Sequence, residues 1–506
     1  MSVDDRFRDR RKELADQAID SMERQHKRGK LSAQERIEGF LDPGSFKELD
    51  PYIEHRATTL GMDRRRRLGD GVVTGHGSVD GRPVFVYSQD FGFMGGSLGE
   101  MHARKICHVL DLAVENGAPV VGFHDSGGAR IQEGVASLAG YGEIFRRNAT
   151  ASGVVPQIAV IAGPTAGGAS YSPALMDFTV MVEGMATTFI TGPRVIKQVT
   201  GEEVEPQLLG GAATHASITG TASLSVESEK AAIDIVKRVL SYLPSNNLDD
   251  PPAYEGVEPD GNAADVIPED INRPYDIKNL IDTVFDGGSL LEVQPLFAMN
   301  AVVGFARLRG RSVGVVASQP MVMAGCMTID SSDKIARFVR LCDAFGIPLV
   351  TLQDVPGYLP GVDQEHGGII RHGAKVIYAY SEAVVPRVTV ILRKSFGGAY
   401  IALGSKHLGT DIVYALPQAE IAVMGSEGAV EVIHRRQLAE DPEKRQELID
   451  EYRAEFANPY QAAKLGYVDD VIKAEEVRGR LISSLEMLRK KRVKPHPPRR
   501  HGNMPV

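Results

Sequence analysis

Two stretches of the chain show the same order of apolar and polar positions. Each opens with two alternating runs around a short turn, "VDGRP" or "LRGRS", and this pattern predicts a β-hairpin. An amphipathic segment ending in glycine follows at 100–117 and again at 332–346, and it predicts a helix. Continuous apolar runs then predict buried strands, "APVVGFHD" or "IPLVTLQD" and further on "PQIAVIAG" or "PRVTVILR". Strands and helices that alternate in this way predict an α/β fold with parallel sheet.

The two stretches are related by a nearly constant offset of 229 or 230 residues. The matched pairs include Gly75 and Gly304, Lys105 and Lys334, Asp125 and Asp354, and Gly167-Gly168 and Gly397-Gly398. An offset kept over so long a stretch predicts two diverged copies of one domain. We therefore expect domains at 1–255 and 256–506, joined through a linker at 244–276 that is rich in proline, asparagine and aspartate.

The composition fits an ordinary globular protein. The chain has 506 residues, more than a single core usually holds, of which 43% are hydrophobic and 24% charged. A net charge of −9 argues against nucleic acid as the main partner. The charged N-terminus argues against a secretory signal, and prolines and glycines interrupt the apolar run at 154–182. We therefore expect no membrane association and a cytoplasmic location.

Few side chains suggest conventional catalysis. The three cysteines are scattered without a C-x-x-C partner, so we predict small core residues and no metal site. Neither a P-loop, nor H-E-x-x-H, nor G-x-G-x-x-G occurs. Asp125 and Asp354 each end a predicted strand, where a carboxylate serves either helix capping or acid–base chemistry. We interpret His366 and His372 as structural histidines.

The segment "KSFGGAYIAL" places a glycine pair where a buried strand meets a helix, and "AGGASYSP" repeats the arrangement in the first copy. A tight turn alone would explain one such pair. Backbone N–H groups at a helix start, with no side chain in front of them, also form an oxyanion hole for an enolate or a tetrahedral intermediate. Because the pair recurs at equivalent positions, we favour the functional interpretation.

Longer phrases carry a resemblance to a known family. They include "DSGGARIQEGVASLAGYGEIFRRN", "DVPGYLPGVDQEHGGIIRHGAK" and "FGGAYIALGSKHLGTD". Over almost its full length the chain resembles the β subunit of the biotin-dependent acyl-CoA carboxylases, the carboxyltransferase of propionyl-CoA carboxylase and its relatives. The resemblance implies two tandem crotonase-like (ClpP/crotonase) β-β-α superhelix domains, with acyl-CoA bound by the first and biotin by the second.

The same resemblance assigns site residues. Gly167 and Gly168 match the pair that stabilises the thioester oxyanion, and Gly398 and Ala399 match the pair that holds the ureido carbonyl of biotin. The binding residues implied beside these pairs are Gly127, Gly128 and Ala129 in the first copy and Gly397, Tyr400 and Ile401 in the second. The stretch 357–368 matches a loop beside the biotin pocket.

The family mechanism requires no protein base. Carboxybiotin releases CO2, biotin removes the α-proton of the acyl-CoA, and the enolate attacks CO2, so the protein supplies orientation and two oxyanion holes. The chain has no biotin-attachment phrase of the A-M-K-M type. The resemblance therefore implies a partner, the biotin carboxylase and biotin carrier (α) subunit, and a homo-hexamer whose sites are shared between subunits.

Alternatives remain open at this point. The same motifs occur in the acyl-CoA subunit of a transcarboxylase and in a sodium-pumping methylmalonyl-CoA decarboxylase, and a non-catalytic acyl-CoA-binding scaffold could keep the fold. Ile401 departs from the propionyl-CoA carboxylase pattern, in which aspartate usually follows G-G-A-Y. We expect this departure to relax or shift acyl-chain selectivity between acetyl- and propionyl-CoA.

Overall fold

The computed structural model describes residues 2–491 and 500–505. The chain divides into two compact units, Met1–Asp250 and Pro251–Val506. Each unit is built around one eight-stranded sheet. Within the described ranges, no helix has the length and hydropathy needed to cross a bilayer.

In the first unit a hairpin opens a mostly parallel sheet. The strands are β1 (Lys47–Leu49), β2 (Val72–Val79), β3 (Arg82–Gln89), β4 (Val120–Ser126), β5 (Gln157–Ala166), β6 (Phe178–Val182), β7 (Thr187–Phe189) and β8 (Leu224–Val226). The helices are α1 (Val3–His26), α2 (Ala33–Phe40), α3 (Glu100–Asn116), α4 (Val135–Ala151), α5 (Tyr171–Leu175), α6 (Pro193–Thr200), α7 (Pro206–Gly210), α8 (Ala212–Ser217) and α9 (Glu229–Leu240). The strand order is β1-β2-β3-β4-β5-β6-β8, and β7 pairs with β5.

The second unit repeats this plan. Its strands are β9 (Leu291–Val293), β10 (Ala301–Leu308), β11 (Arg311–Ser318), β12 (Leu349–Val355), β13 (Arg387–Phe396), β14 (Ile412–Ala415), β15 (Glu420–Ala422) and β16 (Asp470–Val471). Its helices are α10 (Ala263–Val266), α11 (Ile277–Val284), α12 (Ile329–Ala344), α13 (Val362–Gly367), α14 (Ile369–Glu382), α15 (Gly397–Ala402), α16 (Ser426–Ile433), α17 (Arg435–Glu440), α18 (Arg445–Glu455), α19 (Pro459–Lys464) and α20 (Val477–Leu488). The strand order is β16-β14-β13-β12-β11-β10-β9, and β15 pairs with β13.

The predicted duplication and the predicted α/β fold are confirmed by these pairings. In each unit an antiparallel hairpin, β2–β3 or β10–β11, leads into three or more parallel strands. Every residue of β4 and of β12 is buried, as their continuous apolar runs predict. The helix predicted at 332–346 differs at its start, because Thr328 and Ser331 form a capping box that begins α12 at Ile329.

The duplication extends to the role of one buried side chain. Lys105 of α3 donates hydrogen bonds to the carbonyl oxygens of Gly69 and Val72. Lys334 of α12, its counterpart, donates to the carbonyls of loop residues before β10, among them Phe297 at 2.8 Å. Burial lowers the pKa of both ammonium groups to about 8. In each unit one lysine therefore ties this helix to the loop that precedes the antiparallel hairpin.

Candidate active site

In the first unit, β5 ends in a glycine turn. Ala166 is extended, with φ −112° and ψ 151°, and Gly167 has a φ of +61° that favours glycine. A 3-10 turn, Gly167–Ser170, then leads into α5. The first N–H groups of a helical segment have no acceptor within it. The end of β5 therefore presents backbone donors at Gly167 and Gly168.

The second unit has the same turn at the end of β13. Phe396 is extended, with φ −116° and ψ 145°, and Gly397 has a φ of +58°. The helix α15 starts at Gly397, so the N–H groups of Gly398 and Ala399 lie in its first turn. The structure thus brings the predicted glycines of each copy into one local conformation.

Gly168 and Gly398 differ in whether packing within their own unit leaves room for a side chain. At Gly168 an added Cβ would lie 3.1 Å from Cδ2 of the Tyr141 ring, so packing within the unit disfavours a side chain. At Gly398 the nearest atom to such a Cβ is Cε2 of Tyr358, at an ordinary contact distance of 3.8 Å. Gly398 also lacks the positive φ that makes glycine necessary at Gly397. Neither conformation nor packing within the unit accounts for glycine at position 398, which fits the close approach of an external group.

The loop after β4 lies beside the first turn. The N–H of Gly127 donates to the carbonyl oxygen of Gly95 at 2.8 Å, and Ala129 forms a bridge with Leu98. A Cβ on Gly128 would lie 2.9 Å from the carbonyl oxygen of Ala166, the last residue of β5. The predicted residues Gly127, Gly128 and Ala129 are therefore close to the Gly167 turn.

A buried arginine holds this loop, and its role was not identified from the sequence. The Arg130 guanidinium donates to Asp70 at 2.6 Å, to Glu133 at 2.8 Å and to the Ser97 carbonyl at 2.9 Å. The arginine is 1% exposed, so these contacts stabilise a charge that water does not reach. Its position directly after "SGGA" is the local signal, but Asp70 is distant in sequence.

The loop after β12 keeps the counterpart of the backbone hydrogen bond from the Arg130 N–H to the Leu98 carbonyl, but it lacks the arginine side chain. Leu359 takes the place of Arg130, and its N–H donates to the Met327 carbonyl at 2.8 Å. Tyr358 packs its ring against Gly373 of α14 and faces Gly398. Burial raises the pKa of Tyr358 to about 12, and its hydroxyl has no hydrogen-bond partner among the described residues. The aromatic face beside Gly398 is thus set by Tyr358, which lies within the predicted stretch 357–368.

The other predicted residues occupy varied surroundings. Tyr400 is half-buried and its hydroxyl lies 3.4 Å from Nε2 of His407, whereas Ile401 is 41% exposed. His372 lies 2.8 Å from Asp333, as a structural histidine should. The carboxylates of Asp125 and Asp354 do not cap helices but form buried ion pairs with lysine and arginine side chains.

Comparisons with known proteins agree on one family. The carboxyl transferase domain model matches residues 24–504. The chain is 55% identical, over all of both chains, to the carboxyltransferase subunit of propionyl-CoA carboxylase from Haloferax mediterranei. It is 53% identical, over 96% of each, to methylmalonyl-CoA decarboxylase subunit alpha from Propionigenium modestum.

The fold comparison agrees with the sequence comparison. The structure of transcarboxylase 12S, a hexamer crystallised with hydrolysed methylmalonyl-coenzyme A, superposes with a TM-score of 0.93 and 52% identity. The match covers 96% of this chain and 95% of that one. The resemblance to the acyl-CoA carboxylase β subunits is therefore confirmed, as are the fold and the carboxyltransferase class of enzyme. The chain belongs to the carboxyl transferase domain family, and it is similar over its full length to the carboxyltransferase subunits of propionyl-CoA carboxylase.

Proposed function

We propose that this chain transfers a carboxyl group from biotin on a partner protein to the α-carbon of a short-chain acyl-CoA, propionyl-CoA or acetyl-CoA. The observation that carries the proposal is the glycine at position 398, which the unit's own packing does not require. Full-length similarity to the propionyl-CoA carboxylase subunit supports the choice of substrate class.

The first unit, in this proposal, binds the thioester. The N–H groups of Gly167 and Gly168 donate to the thioester oxygen and stabilise the negative charge that develops there as the enolate forms. Gly127, Gly128 and Ala129 lie close to that turn and present backbone rather than bulky side chains. Arg130 keeps this loop in place, so the backbone beside the donor turn is already positioned before the substrate arrives.

The second unit holds biotin. The N–H groups of Gly398 and Ala399 donate to the ureido oxygen, and the missing side chain at Gly398 leaves room for the ring to approach. Biotin, when bound, supplies both the carboxyl group and the base that removes the α-proton. Gly397 sets the direction of the turn, while Tyr400 and Ile401 lie on the helix that follows it. The chain itself then contributes orientation and charge stabilisation.

A partner subunit completes the enzyme. The chain carries no biotin-attachment phrase, so the α subunit with biotin carboxylase and carrier functions is the expected donor. A hexamer, as in the transcarboxylase 12S structure, and a cytoplasmic location belong to the same proposal. All three cysteines are free thiols, in keeping with a reducing compartment.

Carboxylation should depend on a second, biotinylated protein. We expect ATP- and bicarbonate-dependent carboxylation of propionyl-CoA when the chain is mixed with a biotinylated α subunit, and none when the chain is alone. Free biotin should support only slow exchange, because tethering raises the effective concentration. Product is measured as acid-stable radiolabel from bicarbonate. Carboxylation by the purified chain alone would contradict the proposal.

The same assay separates the alternatives. The decarboxylase and transcarboxylase relatives share 53% and 52% identity with this chain, nearly as much as the carboxylase relative. A decarboxylase subunit would carboxylate its carrier from methylmalonyl-CoA but work with no ATP-dependent partner. A transcarboxylase subunit would require a second carboxyl acceptor. Acyl-CoA binding without any exchange would indicate a scaffold.

Acyl-chain selectivity should depend on Ile401. Its side chain is 41% exposed on α15, so it is available to a bound substrate rather than committed to the core. An apolar wall discriminates one methylene by about 1–3 kcal/mol, so we expect less than about a hundredfold difference in kcat/KM between acetyl- and propionyl-CoA. Ile401→Asp should shift the ratio towards propionyl-CoA. An unchanged ratio would assign Ile401 to packing.

A further inference from the structure

The two strands that lead to the glycine turns, β5 and β13, each pair with one strand along their first part and with a different strand along their last part. In the first unit β5 pairs with β6 before residue 162 and with β7 from Pro164 onward. In the second unit β13 pairs with β14 up to Ile391 and with β15 from Lys394 onward. The end of each strand therefore belongs to a separate ladder, and the glycine turn comes directly after that ladder.

The pairing register shifts at this corner in both units, and we refer to the shift as a bulge. Residues 162–164 of β5 face the single residue Asp125 of β4. Residues 392–394 of β13 face Asp354 of β12 in the same way. A bulge bends its strand and redirects the residues beyond it, and strands that switch from one sheet to another turn in this manner. The bulge therefore sets where the glycine turn is placed.

In the second unit the carboxylate of Asp354 binds the bulge itself. Its Oδ1 accepts a hydrogen bond from the N–H of Lys394 at 3.1 Å, and its Oδ2 accepts from Nε of Arg393 at 2.8 Å. Arg393 also donates to the carbonyl oxygens of Asp270 and Arg273. The aspartate is 1% exposed, so both contacts are made away from water. The Asp354 side chain thus binds both a backbone N–H of the bulge, that of Lys394, and the guanidinium of a bulge residue, Arg393.

In the first unit the carboxylate is kept but its cations come from elsewhere. The Oδ2 of Asp125 accepts from Nζ of Lys30 and, at 3.2 Å, from Nη2 of Arg36. Arg36 also donates to the carbonyl oxygen of Ala162, a bulge residue. Gly163 occupies the place of Arg393, and a Cβ there would collide first with Oδ1 of Asp125 and would also lie 2.5 Å from Nζ of Lys30. The glycine therefore makes room for the carboxylate and for the substitute cation together.

A proline explains the one contact that the first unit lacks. Pro164 occupies the place of Lys394 and has no N–H to donate. The Oδ1 of Asp125 accordingly has no hydrogen-bond partner among the described residues. The two units have therefore kept a buried carboxylate and its ionic neutralisation at the bulge, although the cations come from different elements. Both units keep the aspartate although the cations that bind it differ, so the feature preserved between them is the bulge that the aspartate faces.

We propose that Asp125 and Asp354 are positioning residues that hold the bulges and so direct the two glycine turns. Neither carboxylate contacts a substrate in this scheme. The inference rests on the proposed function of the turns, since it concerns how accurately their N–H groups are placed. Displacement of a catalytic group by about 1 Å costs roughly a hundredfold in rate. A loosened bulge should therefore lower turnover before it unfolds the unit.

The test compares Asp354→Asn and Asp354→Ala in the complex with the biotinylated partner. Asparagine keeps an oxygen for the Lys394 N–H but loses the charge that faces Arg393, whereas alanine loses both contacts. We expect kcat to fall about tenfold for asparagine and about a hundredfold for alanine, with KM for acyl-CoA unchanged. Asp125→Asn should instead raise KM for acyl-CoA, since its bulge directs the thioester turn.

Asp286→Asn is the matched control. Asp286 is also buried in the second unit and pairs with Arg478 at 2.9 Å, but it binds the β10–β11 turn rather than a bulge. We expect a similar loss of Tm in this variant with kcat unchanged. If the Asp354 variants lose Tm to the same extent and keep kcat, or if Asp286→Asn lowers kcat equally, the positioning role is wrong. An unmodified complex without carboxyl transfer would instead contradict the proposed function.

A variant at Pro164 tests the bulge while leaving Asp125 and its ion pairs in place. Pro164→Ala introduces the N–H that Asp125 Oδ1 lacks, at the place where Lys394 supplies it in the other unit. A new hydrogen bond to a buried acceptor should raise Tm by about 2 °C even after the loss of proline's effect on the unfolded chain. A lower Tm would show that the carboxylate does not face the bulge backbone in the first unit.

Discussion

Gly398→Val should reduce carboxyl transfer by at least about a thousandfold and leave acyl-CoA affinity unchanged. Removing one oxyanion-hole donor costs about 100- to 1000-fold in rate, and a branched side chain at this position covers the N–H groups of both Gly398 and Ala399. The fold should tolerate the change, because the nearest neighbour of a Cβ there is the Tyr358 ring at 3.8 Å. The measurements are kcat with the biotinylated partner and the Kd of a non-reactive acyl-CoA analogue.

Gly479→Val is the control for this result. Gly479 lies on α20 without a positive φ, and apart from its chain neighbours and its own helix backbone no atom of the described residues lies within 4 Å of an added Cβ. The same substitution is therefore made in a helix away from the site. Activity and Tm should both be maintained. A Gly398→Val protein that transfers carboxyl groups normally would remove Gly398 from the biotin site, and one that fails to bind acyl-CoA would contradict the division of roles between the units.

Gly168→Val should impair the thioester side first. The valine covers the Gly168 N–H, so we expect KM for acyl-CoA to rise and kcat to fall about 100- to 1000-fold. Unlike the change at Gly398, this one also displaces the Tyr141 ring, which lies 3.1 Å from the position of the new Cβ. A loss of Tm is therefore part of the expected result, and it must be separated from the loss of affinity.

The double variant Gly168→Ala with Tyr141→Leu makes that separation. The smaller side chain at position 141 relieves the contact with the new methyl group, so Tm should recover relative to Gly168→Ala alone. Affinity for acyl-CoA should stay low if the Gly168 N–H binds the thioester oxygen. Recovery of both Tm and affinity would mean that Gly168 serves only packing. Equal loss of acyl-CoA affinity in the Gly168 and Gly398 variants would show that the two units do not divide the substrates.

The structure also shows how two copies of one sequence pattern diverged. Both loops keep one backbone hydrogen bond, from the Arg130 N–H to the Leu98 carbonyl and from the Leu359 N–H to the Met327 carbonyl, but only the first loop adds the charged contacts of the Arg130 side chain. The glycine turns nevertheless keep nearly identical backbone angles. Backbone conformation at the turns was thus retained while the side chains that support it were exchanged.

The sequence by itself determined the duplication, the order of strands and helices and the places of the glycine pairs. These features are encoded locally, as hydrophobic periodicity and as residues that permit a positive φ. Only the tertiary structure decided that packing disfavours a side chain at Gly168 but not at Gly398, and which cations neutralise Asp125 and Asp354. Lys30 lies 95 positions from Asp125 in the chain, and their meeting depends on burial and on how separate elements pack. No local pattern records such a contact, because its free energy arises only when both charges leave water together.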